Sequence, residues 1–135
     1  MAAESIIQLA QYDLDLNAIP KGRPRLGRRG RTFTPERTRD FQEAVRQQVR
    51  EQRIGQGLPV LQGPLGAAVA FNMHPYRGDV DNLQKSLFDG ANLEAWMDDG
   101  QLEWVLAVKR RAKHPSIIFK IFQGDAFYEL FGDII

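Results

Sequence analysis

Pro64-Leu65-Gly66-Ala67-Ala68-Val69-Ala70-Phe71-Asn72-Met73-His74 is the stretch that decides the fold. Leu65, Ala67, Val69, Phe71 and Met73 fall on one face, at the period of two that a strand imposes. Gly66, Ala68 and Ala70 fall on the other, small enough to predict a helix lying close against them. Downstream, a helix is expected from near Asp81 to about Leu93, with Leu83, Leu87 and Ala91 turned inward. Leu102 to Val108 is apolar on both faces and reads as a central strand. Ser116 to Phe122 reads as a further strand, and residues 125–131 as a short final helix with an apolar stripe of Phe127, Leu130, Phe131 and Ile134.

Upstream, Ile6 to Ile19 reads as a strand, with Tyr12, Leu14 and Leu16 alternating against polar residues. Its phase slips near Ala10, where a bulge is expected. Pro20 to Gly30 reads as a loop too charged and too broken for regular structure. Thr34-Pro35-Glu36 is a helix start, with Thr34 as N-cap and Pro35 in the first position. The helix that follows carries Phe41, Ala44, Val45 and Val49 on one stripe and ends at Gly55 and Gly57. The expectation is one α+β domain over residues 1–135, a mixed sheet with helices packed against it.

A chain of 135 residues with 43% apolar content is long enough for one packed core. The absence of cysteine excludes a disulfide framework, a thiolate zinc site and a cysteine nucleophile. It suits a reducing compartment, and the cytoplasm is the expected location, with no signal peptide and no membrane span. The net charge of +1 hides a segregation. Lys21, Arg23, Arg25, Arg28, Arg29 and Arg31 follow one another with no acid between them, whereas residues 79–103 hold seven acids and only Lys85 as a base. Opposite charges kept this far apart predict two surfaces, one for a polyanion and one for a cation.

The acidic surface centres on Gly78-Asp79-Val80-Asp81-Asn82-Leu83-Gln84-Lys85. Two aspartates one residue apart point the same way in an extended chain, so both can face one hard cation such as magnesium. Asp98-Asp99 offers further acids. An EF-hand is excluded, because the positions that need glycine and glutamate are Gln84 and Gly90. No Gly-rich phosphate loop is present, which disfavours a nucleotide pocket.

Asp79-Val80-Asp81-Asn82-Leu83-Gln84-Lys85, then Phe88-Asp89, then Trp96-Met97-Asp98-Asp99, resembles the signature of the RusA-type Holliday-junction resolvases. Lys21-Gly22-Arg23-Pro24-Arg25 and Thr34-Pro35 are similar to segments common in phage-borne members. The resemblance runs from about Ile19 to Lys113; residues 124–135 match no family pattern. It implies a homodimer with two active sites, magnesium dependence (manganese being a permitted substitute) and paired, symmetric nicking of four-way DNA junctions in recombination and repair. Carried over residue by residue, it implies Asp79, Asp81 and Asp99 as metal ligands and Lys85 as the catalytic lysine. Such an ion would activate a water and neutralise charge on the phosphate, with Lys85 one helical turn beyond Asp81.

Plainer readings stand beside these. Asp81 can be a helix-dipole partner, Asp98 a turn former, Lys85 and Asp89 a surface ion pair, and His74 an ordinary hydrogen-bonding residue. Asp89 reads as structural and Trp96 as core. The basic loop at residues 20–33 reads as a phosphate track. Lys109, Arg110, Arg111 and Lys113 either extend that track or solubilise a strand end. The expected partner is four-way or branched DNA, with no small-molecule cofactor. The competing functions are a junction-binding protein with weak or lost catalysis and a hydrolase of small phosphate esters.

Overall fold

In a computed structural model, the structure describes residues 8–22, 25–26, 32–33 and 35–132, with backbone only at 25–26 and 32–33. The alternating stretch forms strand β4, Leu65–Met73, and its large residues are all buried. Around it the chain runs β1 (Gln8–Leu14), β2 (Arg25–Leu26), β3 (Thr32–Phe33), α1 (Glu36–Gly55), β4, α2 (Val80–Ala91), β5 (Leu102–Arg111), β6 (Ser116–Gln123) and α3 (Ala126–Phe131). Four strands make one mixed sheet in the order β1-β6-β4-β5; β4 and β5 are parallel and the other two pairs antiparallel. The molecule is therefore a single α+β domain.

The core lies between one face of this sheet and helices α1 and α2. Tyr12, Leu14, Val69, Phe71, Phe119 and Ile121 meet Phe41, Val45 and Val49 from α1 and Leu83 and Leu87 from α2. Each large side chain buried there contributes on the order of 1.5–3 kcal/mol of transfer free energy. In α1, Thr38 rather than Ala44 completes the buried stripe. Pro35 occupies the N-cap position and the helix begins at Glu36, one residue later than expected; Thr34 lies outside the described residues. The expected bulge near Ala10 is present as a register shift between Gln8 and Ala10.

Other expectations are corrected. β1 stops at Leu14 instead of running to Ile19, because the chain turns off the sheet: Asp15 N donates to Gln48 Oε1 (2.8 Å) and Asn17 Nδ2 to the His74 carbonyl (3.0 Å). The segment Pro20 to Gly30, read as irregular, contains the short strand β2, which pairs antiparallel with β3 just beyond it. Among the described residues no helix lies directly on Gly66, Ala68 and Ala70. Gly66 instead receives the indole of Trp104, where a Cβ would overlap the ring, and Trp104 Nε1 donates to the Gly124 carbonyl at 2.9 Å. Phe127 and Phe131 of α3 pack against that indole, tilted and edge-on respectively, and cover this end of the outer face. Ile134 lies outside the described residues. β5 is an edge strand rather than a central one, and Leu106 and Val108 stand 47% and 46% exposed.

The two edges of the sheet differ. Along β1, Gln52 of α1 and Gln56 just past its end bond the strand's backbone, while Gln48 bonds Asp15 beyond the strand. Gln52 accepts from Asp13 N (2.9 Å) and donates to Asp13 O (2.8 Å), while Gln56 donates to Gln11 O (3.0 Å). Among the described residues no side chain bonds the outer edge of β5 in this way. No helix among them is long and apolar enough to cross a membrane.

Candidate active site

The chain leaves β4 at Met73 and enters α2 through Gly78 and Asp79. Gly78 has φ +93°, and a Cβ there would stand 3.1 Å from the Pro20 ring, so both backbone and space call for glycine. Asp79 is extended at the N-cap of α2, and its carbonyl accepts the first helical bond from Leu83 N at 3.0 Å. Its carboxylate makes no capping bond. Asp79, Asp81 and Lys85 are all exposed on this end and flank of α2. An N-cap carboxylate that does not cap is available to a cation, and it stands at the carboxyl end of a parallel strand pair, where open α/β sheets gather ligands.

Bases surround this corner. Lys109, near the end of β5, donates from Nζ to the Gly78 carbonyl at 2.8 Å. Lys109 and Arg111 both lie over the Tyr76 ring, at 4.6 and 4.2 Å from its centroid. The root of the basic loop is fastened to the same helix: Lys21 N donates to Asn82 O (3.2 Å), and Lys21 Nζ pairs with Asp89 Oδ2 (2.8 Å). Gly22 N donates to Thr38 Oγ1 of α1 at 3.1 Å. Asp89 therefore has Lys21 as its partner, and the ion pair expected with Lys85 is not formed. Arg25 sits on β2 in the backbone pairing; Arg23, Arg28, Arg29 and Arg31 lie outside the described residues.

Asp99 stands elsewhere, in the 3₁₀ turn Asp99–Gln101 between the far end of α2 and the start of β5. Gln101 fixes that turn. Its Oε1 accepts from Met97 N and Asp98 N (2.8 and 2.9 Å), and its Nε2 donates to Leu61 O and Gly63 O (3.1 and 3.0 Å). Trp96, fully buried, donates from Nε1 to Asp99 Oδ1 at 2.7 Å. Burial raises the Asp99 pKa above the usual carboxylate value; the Trp96 bond opposes this, and the charges of Asp89 and Asp98 add to it.

Asp79 and Asp81 thus both stand exposed at the start of α2, and Asp99 is not gathered with them. Twelve residues of α2 span roughly 18 Å at the helical rise. Among the described residues no three His, Cys, Asp or Glu side chains are gathered closely enough to hold a metal ion. The donor chemistry still fits magnesium, which takes hard oxygens and is commonly held by one or two carboxylates, water and substrate phosphate. Asp79 and Asp81 meet that requirement. The sequence reading missed the Trp96–Asp99 bond and the Lys21–Asp89 pair. The first had a signal in its three-residue spacing within a turn; the second joins distant segments and had none.

None of the curated proteins matches this chain. Across residues 15–122, which take in the root of the basic loop and both acidic ends of α2, the sequence matches the family model described as Endodeoxyribonuclease RusA, and the chain belongs to that family.

Proposed function

We propose that this protein is a magnesium-dependent endodeoxyribonuclease of the cytoplasm that resolves Holliday junctions, as a homodimer, by paired symmetric phosphodiester hydrolysis. Family membership supports a junction endodeoxyribonuclease in general terms. The observation that carries the finer reading is Asp79 with Asp81: two exposed carboxylates at a helix start, neither used as a cap, beside a basic corner.

In this reading Asp79 and Asp81 would hold the magnesium ion, with manganese a permitted substitute, which when bound would supply water activation and neutralisation of phosphate charge. Lys85, one turn along the same helix, donates to a non-bridging oxygen of the scissile phosphate. Arg111, Lys113 and the loop cations Arg23, Arg25, Arg28, Arg29 and Arg31 neutralise flanking phosphates and orient the strand. The hydroxyl leaving group departs toward solvent at this open end of the sheet. Within one chain Asp99, in the turn beyond α2, is not gathered with Asp79 and Asp81, so in this reading it would complete the site from a second copy.

The competing reading, a junction-binding protein without catalysis, draws on the lack of a three-acid group within one chain. Nicking of a synthetic four-way junction decides between them, with linear duplex as control and with or without magnesium. Magnesium-dependent symmetric cuts confined to the junction are expected; binding without cutting would establish the competitor.

A further inference from the structure

Asp79 has to be aimed by its backbone, because its carboxylate makes no capping bond that would anchor it. On its C-terminal side the helix holds the chain, through Leu83 N on the Asp79 carbonyl at 3.0 Å. On its N-terminal side the chain passes through Gly78, at φ +93° and without a side chain to brace it, and glycine turns more freely than any other residue. The peptide joining Gly78 to Asp79 is instead fixed from β5: its carbonyl, that of Gly78, accepts from Lys109 Nζ at 2.8 Å. The same Nζ stands 4.6 Å from the centroid of Tyr76, a ring packed against the core, and the ring face favours a cation there. Lys109 is partly buried, whereas Arg110, Arg111 and Lys113 are exposed.

We propose that Lys109 is a positioning residue for the metal site and not part of the phosphate track: it locks the Gly78–Asp79 peptide so that the Asp79 carboxylate faces the cation. The inference rests on Asp79 as a ligand in the proposed function. It also divides the bases at the end of β5, since Lys109 is committed to a main-chain carbonyl and Arg110 donates from Nε to Asn72 Oδ1 at 3.0 Å. Lys109 lies 31 residues from Gly78 in the chain, so no spacing within a motif announces the contact. Its two conceivable influences on a metal have opposite signs. An ammonium near a bound cation repels it, so by charge alone the loss of Lys109 would tighten metal binding. If the ammonium acts through its bond to the Gly78 carbonyl, the loss of Lys109 weakens metal binding. Residues that orient metal ligands typically change affinity by roughly 10–100-fold when removed.

Binding of manganese ion to the full chain without DNA, followed by electron paramagnetic resonance of the free ion, tests this apart from nuclease activity. Lys109→Met keeps an apolar stem beside Tyr76 and removes the ammonium. It is expected to bind manganese on the order of tenfold more weakly than wild type. Lys109→Arg, which retains a cationic donor, is expected to recover most of that affinity. On a four-way junction, Lys109→Met should need correspondingly more magnesium for half-maximal nicking. Its slope of log K against log salt in metal-free junction binding should match wild type, whereas a lysine lost from a phosphate would lower the slope by about 0.9. Circular dichroism melts of each variant check the fold. Manganese binding by Lys109→Met that equals or exceeds wild type would overturn the proposal and leave Asp79 and Asp81 standing as ligands. A lowered salt slope with undiminished manganese affinity would return Lys109 to the phosphate track. Wild type that binds manganese no better than Asp81→Asn would overturn the proposal and the metal site together.

Discussion

Trp96 donates its indole N–H to Asp99 Oδ1 at 2.7 Å from a ring wedged edge-on against Phe88 and Phe119. The donor cannot swing away, so the bond fixes one carboxylate oxygen of Asp99. Trp96→Phe keeps an aromatic ring in the core and removes the donor. Chemical denaturation should show a loss of about 2–3 kcal/mol, the sum expected for a charged hydrogen-bond partner left unmade and a modest cavity. Unaltered stability would mean that water replaces the indole without cost.

Asp99 also gives a pH signature. Its folded pKa is raised, chiefly by burial, so the folded state holds its proton more tightly than the unfolded state. The linkage sign follows: this residue's contribution is most favourable below the unfolded carboxylate pKa and is lost as pH rises through the folded one. Asp99→Asn, which can still accept from Trp96, is expected to melt higher than wild type at pH 7. That advantage should shrink as the pH falls to about 3.5, below the usual carboxylate value. A difference independent of pH would show that the carboxylate's charge is not what burial penalises.

The exposed aspartates behave oppositely. Asp79→Asn and Asp81→Asn are expected to leave thermal stability within about 0.5 kcal/mol of wild type, as surface substitutions usually do. Junction nicking in saturating magnesium should fall by at least about a hundredfold, the rate equivalent of losing several kcal/mol of charge stabilisation. Retained nicking in Asp81→Asn would remove the pair from the metal site.

Lys21 is separable from the arginines that follow it. Its ammonium is committed to Asp89, so Lys21→Ala is expected to leave the salt dependence of junction binding nearly unchanged. Arg28→Ala or Arg29→Ala should each reduce the slope of log K against log salt by about 0.9. Fluorescence anisotropy over a salt series measures both. A full loss of slope in Lys21→Ala would mean that DNA draws the lysine away from Asp89.

The sequence made β4, α1, α2 and the core legible because period and burial coincide there: Leu65, Val69 and Phe71, or Leu83 and Leu87, have only one place to go. β5 was misread because Leu106 and Val108 report that a face is suited to burial without saying what buries it. Ala68 and Ala70 carried the same ambiguity, since small residues admit a helix but do not supply one. At the site, the Asp79–Asp81 spacing acts within two residues, so their shared place at the exposed start of α2 is legible. The distance from there to Asp99 depends on α2 as a rigid rod, and proximity in the chain hid it.

The glutamine rungs on β1 set a limit on growth. A sheet open at both edges can recruit copies at each end without stopping, and its particles have no fixed size. Here Gln52 and Gln56 occupy backbone groups of β1, so that edge is closed to a further strand and the sheet cannot lengthen from that end.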